Sequence, residues 1–187
     1  MRGGQGGAGN DPLTVLPDTA RMSRYRRVRI PGASYFFTVN LAGREGSVLT
    51  DHVGLLRAAY ARTAAEHPIW CDAMVVLPDH LHVVWTLPEW DADYSTRWRK
   101  IKARFSHAVG LEIRRSPSKA AKRECGLWQR RFWEHLIRDE ADYRAHLAYC
   151  WGNPVKHGLV ARAVDWPFSS IHRDIRAGRV EPEWAGE

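Results

Sequence analysis

The sequence contains no uninterrupted apolar run of about 18 residues, so no transmembrane helix is expected. The N-terminus has no apolar segment of the kind found in secretory signals, and we expect no export signal. The three cysteines, Cys71, Cys125 and Cys150, include no Cys-x-x-Cys pair. This argues against a disulfide framework and a cysteine zinc site, so a reducing cytoplasm is the expected compartment. No P-loop is present, and no nucleotide cofactor is expected.

Positive charge is in excess along the chain. The 187 residues include 28 Lys and Arg against 21 Asp and Glu, which gives a formal net charge of +7, and the sequence pI is about 9.7. Such an excess predicts a polyanionic partner, and nucleic acid is favoured over a membrane surface. The sequence also has nine Trp, several of them among basic residues, and aromatic side chains of this kind can stack on unpaired bases.

Hydrophobic periodicity predicts the element order β-α-β-β-α-β-α. Four strands are predicted, at 33–41, at 70–77, from residue 80 onward, and at 132–138. Three helices are predicted, from 50 or 51 to about 66, from 95 or 96 to about 113, and from 139 to about 152. This order predicts an α+β, ferredoxin-like split βαβ fold, which is a four-stranded antiparallel sheet with helices on one face plus an added C-terminal helix. The expected division is a disordered Gly-rich segment 1–22, a domain 23–160 and a tail 161–187 with a short helix.

Two histidines lie one residue apart at the start of the third predicted strand. Pro78 and Asp79 predict a tight turn, and the β-branched and aromatic residues after them predict the strand. Because side chains alternate along a strand, His80 and His82 point to one face. Two neutral imidazoles on one face can share a divalent metal ion. The alternative is a pair of hydrogen-bonded, inert histidines, and a third ligand is needed to decide between them.

The last long helix offers that third ligand together with a nucleophile. Tyr149 and Asn153 are four residues apart, which places them within about 40° of each other on one helix face. An Asn carboxamide oxygen can complete a two-histidine metal site, and a phenol beside it can act as a nucleophile. Tyr143 is a rival phenol, but it lies about 120° around the helix from Tyr149 and is expected to pack or stack.

Two segments are rich in cations that suit phosphate contacts. The N-terminal one carries Arg24, Arg26 and Arg27 around Tyr25. The second predicted helix has no acid between Arg97 and His107, and its cations are Arg97, Arg99, Lys100, Lys102 and Arg104. We interpret both segments as DNA-backbone contacts, although a solvated basic arm and a solvated helix face would have the same composition.

Several separated motifs together resemble the REP-associated tyrosine transposases, a branch of the single-tyrosine HUH transposases. The motifs are Leu77-Pro78-Asp79-His80-Leu81-His82, the run Trp128-Gln129-Arg130-Arg131-Phe132-Trp133-Glu134-His135, and Tyr149-x-x-x-Asn153-Pro154-Val155-Lys156-His157-Gly158. Shorter matches are Arg24-Tyr25-Arg26-Arg27 and Asp165-Trp166-Pro167-Phe168-Ser169-Ser170. The resemblance extends from about residue 23 to 186.

The resemblance implies a bacterial, nucleoid-associated enzyme that cleaves and rejoins single-stranded DNA at hairpins through a 5′-phosphotyrosine intermediate. It implies Tyr149 as the nucleophile and a Mg²⁺ or Mn²⁺ ion on His80, His82 and Asn153. Arg130, Arg131 and Lys156 lie within the matching motifs, and we add them to the predicted DNA contacts. Single-tyrosine relatives include dimers with shared sites, whereas the REP-associated branch resembles monomers, so a monomer is expected and a dimer stays open.

One departure from the family pattern lies inside the catalytic motif. Relatives usually carry an aliphatic residue where this chain has Cys150 and a larger residue where it has Gly152, and a glycine there is expected to loosen the helix end that aims Asn153. Three other functions stay open at this point. They are a hairpin-binding protein without catalysis, a metal-dependent hydrolase that leaves no covalent adduct, and an RNA-binding module, although no RNP-like Gly-aromatic pattern supports the last.

Overall fold

A computed structural model describes residues 27–43, 46–110 and 126–185 of the chain. Its four strands are β1 (Ser34–Asn40), β2 (Trp70–Val76), β3 (His80–Thr86) and β4 (Trp133–Leu136), and they form one sheet in the order β2-β3-β1-β4. All three neighbouring pairs are antiparallel. The predicted α+β, ferredoxin-like arrangement is therefore confirmed.

The β2–β3 hairpin is closed by the Pro78-Asp79 turn, in which the Leu77 amide donates to the His80 carbonyl at 2.8 Å. In the register of β3 against β1, His80 lies opposite Asn40 and His82 lies opposite Thr38. Both histidines lie on β3, which is one of the two central strands. The backbone of β3 is hydrogen-bonded on both sides, so the positions of the two histidines are well fixed.

The helices that precede β4 are α1 (Val48–Asp51), α2 (Val53–Glu66) and α3 (Tyr94–Val109). The first predicted helix is thus divided at His52, and its predicted cap at Thr50 or Asp51 is wrong because both residues lie inside α1.

Helix α3 is capped by Asp93, whose side chain accepts from the Thr96 amide, and not by Ser95 or Thr96. Gly110 follows with φ of 65°, a left-handed conformation that ends the helix. The sequence between the second predicted helix and the last predicted strand is basic and irregular at 114–126 and predicts a loop, which lies almost wholly outside the described residues.

Helix α4 (Glu140–Lys156) begins where the sequence predicts and ends later than expected. Asp139 caps it by accepting from the Asp142 amide. The sequence predicts an end at about residue 152 because a proline, Pro154, follows shortly after, but Pro154 lies inside the last turn, where the missing proline N–H costs a single hydrogen bond. The consequence is that Tyr149 and Asn153 belong to one uninterrupted helix.

The two sheet faces bury different side chains. On one face, Tyr35, Phe37 and Trp85 pack against α2 and α3 and form the larger core. On the other face, Phe36, Val75 and Val84 pack against α4 through Cys150 and its neighbours. Side-chain alternation assigns His80 and His82 to this second face, so α4 lies over the strand that carries them. None of the described helices is long and apolar enough to cross a membrane.

The C-terminal segment packs back on α4 and on the edge strand β2. It contains a 3-10 turn (Ala163–Asp165) and the short helix α5 (Ile171–Arg176). A β-carbon added at Gly152 would lie 3.5 Å from the Trp184 ring, and Trp184 also contacts Trp151 edge-on at 5.7 Å between centroids. Gly152 thus lies in the middle of a packed, continuous helix turn and does not end the helix.

Candidate active site

Strand β3 presents His80 and His82 with ring centroids 4.9 Å apart. The Asp79 oxygen Oδ1 lies 2.6 Å from His80 Nδ1, and Thr38 Oγ1 lies 2.9 Å from His82 Nδ1. Each contact engages Nδ1 and fixes the orientation of its ring. The Nε2 atoms are therefore the ones left to act as ligands, as in many histidine metal sites.

His82 is buried, and within the described part of the chain its Nε2 has no hydrogen-bond partner. Burial is the largest cause that holds the pKa of His82 well below its usual value, and His80, His157 and Lys156 lower it further. The ring is consequently neutral at neutral pH, which is the protonation state that binds a metal ion. A buried nitrogen without a partner is rare, and here it is consistent with a ligand that the protein is built to receive.

Helix α4 places the ring of Tyr149 next to His82. Their centroids lie 5.1 Å apart with the rings nearly perpendicular, and the same phenol contacts Phe36 edge-on at 5.6 Å. Lys156 Nζ lies 5.2 Å from the centre of the Tyr149 ring. Lys156, predicted as a DNA contact, is thus positioned to stabilise negative charge that develops on the phenol oxygen or on a phosphate beside it.

Asn153 lies one helical turn after Tyr149 and is buried, with 1% of its surface exposed. Among the described residues, neither its Oδ1 nor its Nδ2 has a hydrogen-bond partner. Burying a side-chain amide without hydrogen-bond partners costs free energy. The buried Asn153 carboxamide is therefore consistent with a bound group that supplies those partners. Together with the unpaired Nε2 of His82, this donor set fits a divalent cation. Its identity and its place on His80, His82 and Asn153 remain predictions.

Sequence reasoning did not assign a role to His157, whose ring centroid lies 5.2 Å from that of His80. Burial lowers the pKa of His157, and the nearby His80 adds to this effect. The signal was available, because His157 follows Asn153 by four residues and the helix pattern places both on one side.

Tyr143 is separated from the histidines, as its helical offset predicts. It hydrogen-bonds Asp72, and burial, followed by the Asp72 charge and that hydrogen bond, raises the pKa of Tyr143 to about 12. Burial likewise raises the pKa of Asp72. Of the two phenols that the sequence offered, only Tyr149 contacts the His-x-His pair in the described residues.

Two relatives match nearly the whole chain. The REP-associated tyrosine transposase of Escherichia coli K12 is 47% identical over 166 residues, which are 89% of this chain and 93% of the relative. A relative from Haemophilus influenzae, assigned to the same family, is 45% identical over 88% of this chain and 94% of its own. The chain belongs to the REP-associated tyrosine transposases.

A solved structure agrees with this assignment. It is a REP-associated tyrosine transposase bound to a REP hairpin, and it superposes with a TM-score of 0.80 at 47% identity over 89% of this chain and 93% of its own. No protein-family model matches the chain. Membership of this transposase family makes the protein a DNA transposase by class.

In this family member, the predicted phosphate-binding cations of α3 fall into separate groups. Arg97 is buried with 1% of its surface exposed; its guanidinium lies 2.8 Å from Asp91 and donates to the Pro68 carbonyl at 2.8 Å. Such a side chain cannot reach a phosphate without leaving the interior. The prediction that Arg97 contacts DNA is therefore corrected, and its role is to tie α3 to the residues before β2.

Replacing Arg97 by Ala should lower the free energy of unfolding by about 3 kcal/mol, since it leaves Asp91 and two carbonyls without their donor. The hairpin affinity of the folded fraction should not change. Chemical denaturation and a binding titration measure the two effects. Arg99→Ala is the matched control, with a stability change within about 0.5 kcal/mol because Arg99 is exposed. A stable Arg97→Ala variant with weakened binding would contradict this assignment.

The second group of α3 cations pairs with a single carboxylate on α2. Lys100 Nζ lies 2.8 Å from Glu66, and Arg104 lies 2.6 Å from the same carboxylate. Hydrogen bonds from Arg104 and then Lys100 lower the pKa of Glu66 to about 2. The helix itself has no acid in this region, but its neighbour supplies one, so these two cations are less available to DNA than composition suggests.

The remaining cations line a groove of about 400 Å³ between α3 and the segment before β4. Its basic residues are Arg27, Arg99, Lys102 and Arg130, with Trp128 and Phe132 as aromatic walls. The Arg27 guanidinium lies over the Phe132 ring at 4.1 Å, and Lys102 Nζ donates to the Gln129 carbonyl at 3.0 Å. Arg131 is also exposed nearby. Arg24 and Arg26 lie outside the described residues.

Proposed function

We propose that this transposase cleaves and rejoins single-stranded DNA beside palindromic hairpins through a covalent 5′-phosphotyrosine on Tyr149. The observation that carries the proposal is the contact of the Tyr149 and His82 rings at 5.1 Å, beside a buried imidazole nitrogen and a buried carboxamide that have no partner among the described residues. The relative bound to a REP hairpin supports hairpin DNA as the substrate class.

In the first step, the Tyr149 oxygen attacks the scissile phosphorus and the phenol gives up its proton. The bond from phosphorus to the 3′ oxygen breaks, and that oxygen leaves as a 3′-OH after it takes a proton. The phosphate then stays on the tyrosine as a diester, so the energy of the broken bond is kept. Attack by another 3′-OH reverses the step and joins two strands without a nucleotide cofactor.

The chain's own residues orient and stabilise this reaction. Asp79 and Thr38 hold the imidazoles of His80 and His82 in place, and Lys156 places a positive charge over the nucleophile's ring. A divalent ion, Mg²⁺ or Mn²⁺, would be held by His80, His82 and Asn153 and would supply charge neutralisation at a non-bridging phosphate oxygen. The pairing of Lys156 with Tyr149 brings a cation to the place where negative charge gathers.

DNA would be held mainly through its phosphates in the groove lined by Arg27, Arg99, Lys102 and Arg130. On the catalytic face, Trp133 is 40% exposed and its ring contacts Phe36 edge-on at 5.6 Å. An exposed indole at this position can stack on an unpaired base beside the site. Three other tryptophans, Trp85, Trp98 and Trp128, do not have this freedom, because they are buried in the core.

The decisive experiment is incubation of the protein with a single-stranded hairpin oligonucleotide and Mn²⁺, followed by a denaturing gel. We expect a metal-dependent band of protein covalently joined to DNA. Hairpin binding without any adduct would identify a non-catalytic binding protein, and free cleaved product without an adduct would identify a hydrolase.

Affinity for hairpin DNA should fall steeply with salt, because phosphate contacts release counterions. Replacing both Arg99 and Lys102 by Ala should reduce the slope of log affinity against log salt by about 1 for each phosphate contact that is lost. The matched control replaces Lys100 and Arg104, which removes the same charge from the same helix but from the side paired with Glu66. Equal flattening in both double variants would contradict the groove as the DNA contact.

A further inference from the structure

A second group of potential metal ligands lies apart from the His80–His82 pair. It comprises His135 on β4 and Asp142 and His146 on α4, and their ligand atoms all lie within 4.8 Å of one another. Among the described residues this is the one group of three His, Cys, Asp or Glu side chains with such spacing. We propose that His135, Asp142 and His146 bind a transition-metal ion with the preferences of Zn²⁺, which fastens helix α4 to strand β4.

The fold brings these three residues together from two elements. Asp142 and His146 are four residues apart and share one face of α4. His135 lies opposite Phe36 in the β1–β4 pairing, on the sheet face that α4 covers. A pair of ligands on one helix turn with a third from an adjacent strand is a common way to build a site with three protein ligands and an open position.

The three ligand groups are already in contact through Asp142. His135 Nε2 lies 2.8 Å from Asp142 Oδ2, and His146 Nδ1 lies 3.0 Å from Asp142 Oδ1 and 2.8 Å from the Asp142 carbonyl oxygen, a hydrogen bond that an ion on Nδ1 would replace. In a tetrahedral site with bonds of about 2.0–2.2 Å, adjacent ligand atoms lie roughly 3.3–3.6 Å apart. Separation of these atoms by less than about 1 Å would therefore make room for the ion.

Ligand chemistry favours Zn²⁺, Co²⁺ or Ni²⁺ over Mg²⁺, because two of the three donors are imidazoles. Burial alone would raise the pKa of Asp142, but the hydrogen bonds from His135 and the Arg138 amide outweigh it and leave that pKa lowered. Burial is the largest cause that lowers the pKa of His146. The cluster thus offers one carboxylate and two imidazoles as donors to an ion.

The surroundings of Asp142 resemble the outer shell of a metal site. The Arg138 amide donates to Asp142 Oδ2 at 3.0 Å, which holds the carboxylate in one orientation. The Arg138 guanidinium, which is exposed, lies 3.4 Å from the same oxygen and would compete with a cation. Removal of that guanidinium should therefore leave metal binding intact or strengthen it, which provides a matched control.

The cluster is one aromatic ring away from the catalytic residues. The His146 ring lies 4.7 Å from Phe36, and Phe36 contacts both His82 at 5.5 Å and Tyr149 at 5.6 Å. An ion here would fix the first half of α4 against the sheet, while the second half carries Tyr149 and Asn153.

The test is a titration of metal-free, full-length protein with Co²⁺ and Zn²⁺ in the absence of DNA. Calorimetry counts the ions, and visible absorption of Co²⁺ reports coordination by imidazole and carboxylate. His82→Ala should keep the ion of the cluster. His135→Gln and Asp142→Asn should each bind one ion fewer, or bind it more weakly by at least the roughly 10–100-fold that outer-shell changes cost. Arg138→Ala should retain the ion.

Thermal unfolding provides a second readout that does not depend on activity. Zn²⁺ should raise the melting temperature of His82→Ala, in which the proposed catalytic site is removed, and of the double variant His82→Ala/Arg138→Ala, but not that of His82→Ala/His135→Gln. A single bound ion that is lost in His82→Ala would overturn the second site and leave the proposed catalytic ion in place. A single ion that is lost in His135→Gln would support the cluster and contradict the catalytic ion instead.

Discussion

Tyr149→Phe should form no covalent adduct with hairpin DNA under conditions in which the wild-type protein forms it readily. The substitution removes the one oxygen that would bond to phosphorus and keeps the ring that contacts His82 and Phe36. Loss of a catalytic nucleophile costs on the order of 10⁴–10⁶-fold in rate. Hairpin affinity should be nearly unchanged, because phosphate contacts elsewhere carry most of the binding. A denaturing gel and a binding titration on the same preparation measure the two quantities.

Tyr143→Phe is the matched control for this substitution. It removes a phenol oxygen from the same helix, but that oxygen bonds Asp72 and the residue lies away from the histidines. The variant should retain substantial activity. Mass spectrometry of the trapped wild-type adduct should place the nucleotide on the peptide that contains Tyr149. A nucleotide found on Tyr143, or cleavage by Tyr149→Phe at the wild-type rate, would overturn the mechanism.

His82→Ala should abolish cleavage and leave hairpin binding nearly intact. His82 offers a neutral, buried Nε2 with no partner among the described residues, so its loss removes a ligand that water cannot replace in the same geometry. The fall in adduct yield should exceed the roughly 10–100-fold typical of changes around a metal site. His80→Ala should behave in the same way. Adduct yield against Mn²⁺ concentration, with and without a chelator, measures the effect.

Two further variants serve as comparisons for His82→Ala. Asn153→Ala should be milder, because a carboxamide is a weaker ligand and water can take its place at higher Mn²⁺. His107→Ala removes an exposed imidazole from the end of α3 and should retain wild-type activity. Full activity in the His82 variant would remove the proposed ion from this site and would leave Tyr149 to be activated by other residues such as Lys156.

Strand alternation and helical spacing were sufficient to predict the parts of the site that lie along a single strand or a single helix. Alternation along β3 predicted that His80 and His82 share a face, and their rings lie 4.9 Å apart. Helical spacing separated Tyr149 from Tyr143, and the structure places only the former beside His82. The strand order followed from the sequence of elements, because short connections and antiparallel pairing leave few arrangements of four strands and two crossing helices.

The features that sequence reasoning missed depend on contacts between distant segments. Glu66 pairs with both Lys100 and Arg104 across 34 to 38 residues, and no local pattern reveals that pairing. Arg97 looked like its neighbours on the helix, yet its side chain points to the Pro68 carbonyl in the interior. His135 became relevant only when the sheet placed it next to α4, where Asp142 meets it at 2.8 Å.

The position of Tyr149 in the middle of α4 restricts how two DNA ends can be exchanged. The helix runs unbroken from Glu140 to Lys156 and is packed against its own sheet, so the residue that would carry the covalent end is part of the rigid frame. The tyrosine and both histidines also come from one chain. Under the proposed mechanism it is therefore the nucleic acid that would have to move between cleavage and rejoining: the freed 3′ end would leave a stationary phosphate, and its replacement would arrive there.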